Sequence, residues 1–172
     1  MKKLAFAIDT LTRKIASLLA CFCLLMILLG FFNALLRKFS QSLGVNLSSN
    51  FYLELQWYLY SLIFTFGISY TLLAKEHVRI DIFYAKFSEK TKTLLDFLAI
   101  LFVYIPAVIV LIYLTFPMVV ESLRIKEMSP DPGGLPRYPL KIAFLISLFL
   151  LLLQSLSELI KTWFRLRGDH GS

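Results

Sequence analysis

Charge is scarce in this chain. Only 17% of its 172 residues are Asp, Glu, Lys or Arg, whereas a soluble globular domain carries roughly a quarter. Histidine is scarcer still: His77 and His170 are the two copies, and neither falls in an apolar run. That argues against a haem held by axial ligands inside a helical bundle. The two cysteines, Cys21 and Cys23, lie in one apolar run. On a helix, residues two apart point to nearly opposite faces, so this pair neither bridges nor forms a metal site and is expected to pack as small apolar side chains. No nucleophile–base pair and no glycine-rich phosphate loop occurs. These gaps exclude the usual equipment of an enzyme, and no catalytic residue, metal ligand or cofactor is assigned.

What the chain has instead is apolar surface. Hydrophobic residues make up 58% and aromatic residues 15%, with 16 phenylalanines. A soluble protein this small cannot hide that much, and a bilayer is the solvent that suits it. The net charge of +7 does not indicate nucleic-acid binding, because the cations fall between apolar runs, where they act as topology signals and head-group contacts.

Charge-free intervals locate the membrane spans. The first runs from Ile15 to Leu36, the second from Leu55 to Ala74 and the third from Phe97 to about Met118–Val120. Each is about 20 residues or slightly longer, enough for the ~30 Å hydrocarbon core. The fourth has a shorter charge-free centre, Ile142 to Ser157, and needs its flanks to reach Leu140–Ile160. Lys141 and Glu158 are expected to snorkel to opposite interfaces, and Pro139 suits a first helical turn. The expected architecture is an all-α integral membrane protein with four transmembrane helices. The first run is too long, and lacks a small-residue cleavage site, to read as a removed signal peptide.

Lysine and arginine set the orientation. With the N-terminus inside, 12 of the 18 fall on cytoplasmic segments (1–14, 75–96, 161–172) and 6 on the outer side, five of them in 37–54 and 119–139 and the sixth, Lys141, at the outer end of the fourth span. The positive-inside rule then puts both termini in the cytoplasm. Phe51, Tyr52, Trp57, Tyr58 and Tyr60 at one end of the second span, and Trp163 and Phe164 at the end of the fourth, fit interfacial aromatic belts.

The loops are unequal. Asn46-Leu47-Ser48 is formally a glycosylation sequon, too short to carry an inference. In the second loop, Ile80, Phe83 and Phe87 recur at helical spacing, as expected of a short amphipathic helix lying on the membrane surface. Ser88 reads as the N-cap of the helix that follows, with Glu89 in its first turn. Pro106 is expected to kink the third span. The third loop contains Ser129-Pro130-Asp131-Pro132-Gly133-Gly134-Leu135-Pro136, which excludes helix or sheet interior and gives a stiff connector or contact surface.

No Asp, Glu, Lys, Arg or His stands in the middle of a span, where pumps and proton-coupled carriers place them. Asn33, Gln56 and Gln154 read as interhelical hydrogen-bond partners. The pattern points to a scaffold or accessory subunit. An autonomous four-helix exporter or channel, and the membrane anchor subunit of a redox enzyme, are the alternatives. Both ordinarily need ionisable groups within the spans.

Two stretches carry a family resemblance. One is Glu54-Leu55-Gln56-Trp57-Tyr58, then Gly67, then Lys75-Glu76-His77-Val78-Arg79-Ile80-Asp81. The other is Ser129 to Lys141, with Arg137 inside it, leading to Gln154. With the four-span layout, they resemble the small membrane (Q, or DctQ-type) subunit of tripartite ATP-independent periplasmic (TRAP) transporters. The resemblance implies a bacterial inner-membrane subunit bracing a large elevator-type membrane partner. It also implies a periplasmic binding protein that delivers a carboxylate for sodium-coupled uptake. The contact or structural candidates are Glu54, Trp57, Gly67, His77, Arg79, Asp81, Pro130, Asp131, Pro132, Gly133, Gly134, Arg137 and Gln154. The expected partners are the large subunit, the binding protein and membrane lipid, with no nucleic acid.

Overall fold

The computed structural model describes residues 2–43, 50–74 and 87–167. They form four long helices: α1 (Lys2–Leu43), α2 (Asn50–Ala74), α3 (Glu89–Arg124) and α4 (Tyr138–Leu166). All four are long and apolar enough to cross a membrane, as the charge-free intervals require.

The helices outrun the intervals that located them. The stretch from Lys2 to Leu29 contains neither glycine nor proline, so nothing breaks the helix before or within most of the apolar run. α1 therefore extends over 42 residues, about 63 Å at 1.5 Å per residue and twice the hydrocarbon core. At the start of α3, Ser88 is the N-cap: its Oγ accepts the Thr91 backbone N–H at 3.3 Å, and Glu89 occupies the first turn. Pro139 sits in the first turn of α4.

Pro106 acts through a wide turn. Residues Ile100–Tyr104 are π-helical, and the Ile105 N–H donates to the Ile100 carbonyl. A proline ring inside an α-helix clashes with the carbonyl four residues back and leaves it without a donor. Widening the preceding turn relieves that conflict, and α-helix resumes over Ile105–Arg124.

The contacts define an up-and-down bundle. Lys2 Nζ lies 5.1 Å from the centre of the Phe164 ring, so α1 begins where α4 ends. The Phe97 and Trp163 rings meet at 5.6 Å, so α3 begins there too. Asn50 and Leu140 line one cavity, so α2 and α4 begin together at the opposite end. Both ends of the described chain thus share one face of the bundle. α4 touches all three other helices and is buried along nearly half of its most apolar stretch, while α1 is buried along almost none of its own. The apolar core is Leu72, Val108 and Leu151, one residue from each of α2, α3 and α4. Leu24, Ile27, Phe31 and Phe32 on α1, and Phe102, Tyr113, Leu114 and Phe116 on α3, point outward. In a bilayer these faces meet lipid or another helix.

Several expectations from composition are corrected. Glu158 does not snorkel: only 2% of it is exposed, and it is paired within the bundle. Lys141 turns to Glu127 in the preceding loop. Asn33 Oδ1 and Gln56 Nε2 are buried without a hydrogen-bond partner among the described residues; the Gln56 amide instead packs beside Gly30, where a Cβ would lie 3.3 Å from Nε2. Cys21 faces outward rather than packing inside, and Cys23 is half-buried. The sequon and the surface helix expected over Ile80 and Phe83 lie outside the described residues.

Candidate functional site

Two polar constructions stand out, one at each end of the bundle. The first is the α3–α4 loop. α3 ends in a Schellman motif: the Glu127 N–H reaches the Ser122 carbonyl at 3.0 Å and the Lys126 N–H reaches that of Leu123 at 3.2 Å. Lys126 takes the left-handed conformation this motif requires, with φ of 48°. The chain then makes a short hairpin. Met128 bridges Pro136 in antiparallel fashion, the Ser129 N–H donates to the Leu135 carbonyl at 3.1 Å, and the Arg137 N–H donates to the Glu127 carbonyl at 2.8 Å. At its tip the Gly134 N–H closes on the Asp131 carbonyl at 3.0 Å. Pro132 and Gly133 fill the two central positions of this turn, and Gly133 has φ of 73°. Proline first and a positive-φ glycine second is the pattern of a type II turn.

Glu54, in the first turns of α2, ties this hairpin down. Its Oε1 accepts the Ser129 hydroxyl and its Oε2 accepts the Leu135 backbone N–H. Gly134 makes the approach possible, because a Cβ there would fall 2.5 Å from Ser129 Cβ and 2.7 Å from Glu54 Oε1. A second carboxylate, Glu127, ties the loop to both of its own helices. It accepts the Ser122 hydroxyl at 2.6 Å and the Lys141 ammonium. The Lys141 ammonium above all, and then the Ser122 hydroxyl, hold the Glu127 carboxyl below the usual carboxylate range.

The second construction is a buried seam between α1 and α4. Gln154 is fully buried; its Oε1 accepts the Thr12 hydroxyl at 2.7 Å and its Nε2 donates to Asp9 Oδ1 at 3.0 Å. The Ser157 hydroxyl donates to the same Asp9 oxygen at 2.8 Å. Lys161 Nζ pairs with Asp9 Oδ2 at 2.8 Å and also with Glu158. Two carboxylates, an ammonium, an amide and two hydroxyls thus satisfy one another across the first and last helices. A polar group withdrawn from water is tolerable only when paired in this way.

The sequence-derived candidates separate into groups. Glu54, Gly133 and Gly134 meet at the hairpin, and Asp131 and Arg137 line the cavity beside it together with Trp57. Pro130 and Pro132 are exposed on the loop. Gln154 lies at the far seam. Gly67 is remote from both: it lines a groove between α1 and α2 with Ala16, Ala20 and Cys23, and a Cβ there would meet nothing within 4 Å. His77, Arg79 and Asp81 lie outside the described residues. Charge-free counting missed Asp9, Thr12 and Lys161, because it discarded the segments where charge occurs, and it used Ser157 and Glu158 only to mark the end of the fourth span. The α4 pattern Ser147, Leu151, Gln154, Glu158 and Lys161, at spacings of three and four, was the legible signal.

Among the described residues, no group of three metal-ligating side chains comes together. The arrangement holds helices and loops in place and presents apolar faces, which defines the class: a multi-pass membrane subunit built for assembly. The chain belongs to the DctQ component family of tripartite ATP-independent periplasmic transporters, whose family model matches residues 26–165. No curated protein sequence and no solved structure matches it. It is therefore a small membrane subunit of a bacterial inner-membrane transporter, from a family of transporter components rather than enzymes. The match covers the hairpin, Glu54 and the α4 half of the seam, while Asp9 and Thr12 precede it.

Proposed function

We propose that this chain is the fixed brace of a sodium-coupled, binding-protein-dependent uptake system for organic acids that carry a carboxylate. In this reading a large elevator-type membrane subunit moves substrate and sodium, and this chain widens the immobile frame beside it. The observation that carries the reading is the internal pairing of the charges at the α1–α4 seam. Asp9 and Glu158 both bond the Lys161 ammonium and Asp9 also accepts from Gln154 and Ser157, so the ionisable groups of that seam are engaged in joining α1 to α4, while α1 and α3 offer long apolar faces to a helical partner. Close packing, more than the hydrophobic effect, would hold such a partner in lipid. The hairpin from Ser129 to Arg137 is then the surface that meets the large subunit or the docked binding protein. Its ties to Glu54 reduce the entropy lost on docking. Both termini face the cytoplasm by the distribution of lysine and arginine, which puts the hairpin on the periplasmic side. Membership of a tripartite system speaks against the lone exporter and the redox anchor.

The decisive experiment reconstitutes the purified membrane subunits in vesicles with the binding protein and a labelled organic acid. An inward sodium gradient should drive uptake only when this chain and a large multi-span subunit are both present in equal amount. Uptake by this chain alone, or undiminished uptake without it, would refute the brace.

A further inference from the structure

The outer face of α1 carries a large apolar side chain at every seventh position. Leu4, Leu11, Leu18, Leu25, Phe32 and Phe39 are each about half exposed, from 45% at Leu25 to 59% at Leu4. One residue further on, a row of the same period faces the bundle. Ala5, Thr12 and Leu19 are buried there, and Met26, Asn33 and Ser40 are half-buried. α1 therefore winds against its own bundle at seven residues per two turns, as in a left-handed supercoil. The outer row shares that period, so it follows α1 as one continuous stripe instead of spiralling around it. The other outward rows are interrupted: Lys14 stands between Ala7 and Cys21, Arg13 between Phe6 and Ala20, and Lys3 leads to Thr10 and Ser17.

Lipid chains cannot cover the whole stripe. It spans 35 positions, about 52 Å at ~1.5 Å per residue and about 49 Å at the average tilt of ~20°. The hydrocarbon core is ~30 Å thick. Leu4, Leu11 and Phe39 lie outside the charge-free interval of the first span, beyond Arg13 and Lys14 at one end and Arg37 and Lys38 at the other. About 20 Å of apolar stripe thus extends past the hydrocarbon core, where its burial falls to protein.

Charge and symmetry select the occupant. Lys14 lies in the stripe, three residues after Leu11 and four before Leu18, and is exposed with no ion pair among the described residues. Two copies of this chain share one orientation in the membrane, so their first helices would meet in parallel and set Lys14 against Lys14. α1 carries six lysines and arginines and one carboxylate, Asp9, which is engaged with α4. A second copy therefore offers nothing to pair with Lys14. We propose that the stripe from Leu4 to Phe39 seats a membrane helix of the large subunit, packed along α1 as in a left-handed coiled coil, with an acidic side chain opposite Lys14. This rests on the brace reading and adds which face of the chain takes the partner. Because the stripe outruns the hydrocarbon core, the partner helix does so too.

The test places a benzophenone photo-crosslinking amino acid at single positions of the full chain, expressed together with its large membrane subunit and irradiated in native membranes. Crosslinks to the large subunit should appear at positions 4, 11, 18, 25, 32 and 39. They should be absent at 6, 20 and 27, which are also exposed but lie on the opposite flank of α1. Leu11→Ser and Phe39→Ser should each weaken binding of the large subunit about tenfold, and Phe6→Ser, near the same end as Leu11, should not. The crosslinking pattern keeps the proposal falsifiable even if a serine variant disturbs the chain itself. Crosslinks from the stripe to a second copy, to lipid alone or within the chain would overturn it. So would Leu11→Ser and Phe39→Ser complexes as tight as wild type. If the large subunit is recovered in equal amount while the stripe crosslinks only to lipid, the stripe contact fails and the brace stands; if no large subunit is recovered, both fail.

Discussion

Replacing Gln154 by leucine should weaken the junction of the first and last helices without disturbing its packing. Leucine is close to glutamine in volume and apolar, so steric effects are small. Two interhelical hydrogen bonds disappear, from Thr12 at 2.7 Å and to Asp9 at 3.0 Å. Measured by soluble-protein values, a neutral bond is worth about 1 kcal/mol and one to a carboxylate about 1.5–3 kcal/mol. Inside membranes the average is lower, about 0.6 kcal/mol with a maximum near 1.7, because a separated helix finds other partners. The membrane scale applies here, although Asp9 keeps Ser157 and Lys161. For two bonds the expected loss is therefore about 1–3 kcal/mol. Unfolding of the detergent- or bicelle-embedded chain by a denaturing detergent, followed by far-UV circular dichroism, gives the difference. A cycle with Thr12→Val isolates the shared bond and should show a coupling of about 0.6–1.7 kcal/mol. Additive effects of the two substitutions, or a Gln154→Leu chain as stable as wild type, would refute the view that this seam joins α1 to α4.

The loop supplies three further tests. Gly134→Ala should detach the hairpin from Glu54, since its Cβ has no room against Ser129 and the carboxylate; limited proteolysis should then cut between Glu127 and Arg137, and an unchanged digestion pattern would disprove the close fit. Lys126→Gly should stabilise the protein by about 1 kcal/mol, because glycine adopts the left-handed conformation without the steric cost of a side chain; a lower unfolding midpoint would count against the Schellman geometry. Glu127 should make stability depend on acid: its carboxyl is held below the ordinary value of about 4.3, so its contribution is complete above that pH and is lost as the pH falls through the folded-state value. The unfolding midpoint of wild type should drop more steeply below pH ~4 than that of Glu127→Gln, and identical profiles would remove the Lys141 pairing as the cause.

The four long apolar helices among the described residues were determined by the sequence alone, because length and the absence of charge suffice to mark a helix that must satisfy its backbone in lipid. Local chemistry was legible for the same reason. Ser88 caps α3 because a hydroxyl before a helical run can reach its first free N–H, and Pro139 begins α4 because that position needs no donor. The disturbance at Pro106 was legible too, though its form, a π turn at Ile100–Tyr104, depends on how the backbone relaxes around the ring. Partnership was decided only by the tertiary structure. Glu54 looks in sequence like a boundary charge, and folding brings it against Ser129 and Leu135, which follow it by 75 and 81 positions. Glu158 looks like a snorkelling flank, yet it is buried because α1 brings Asp9 to Lys161 beside it. A charge-free interval reports what lipid will tolerate. It cannot report that two charged segments, one from each end of the chain, will pair with each other when antiparallel helices set them side by side.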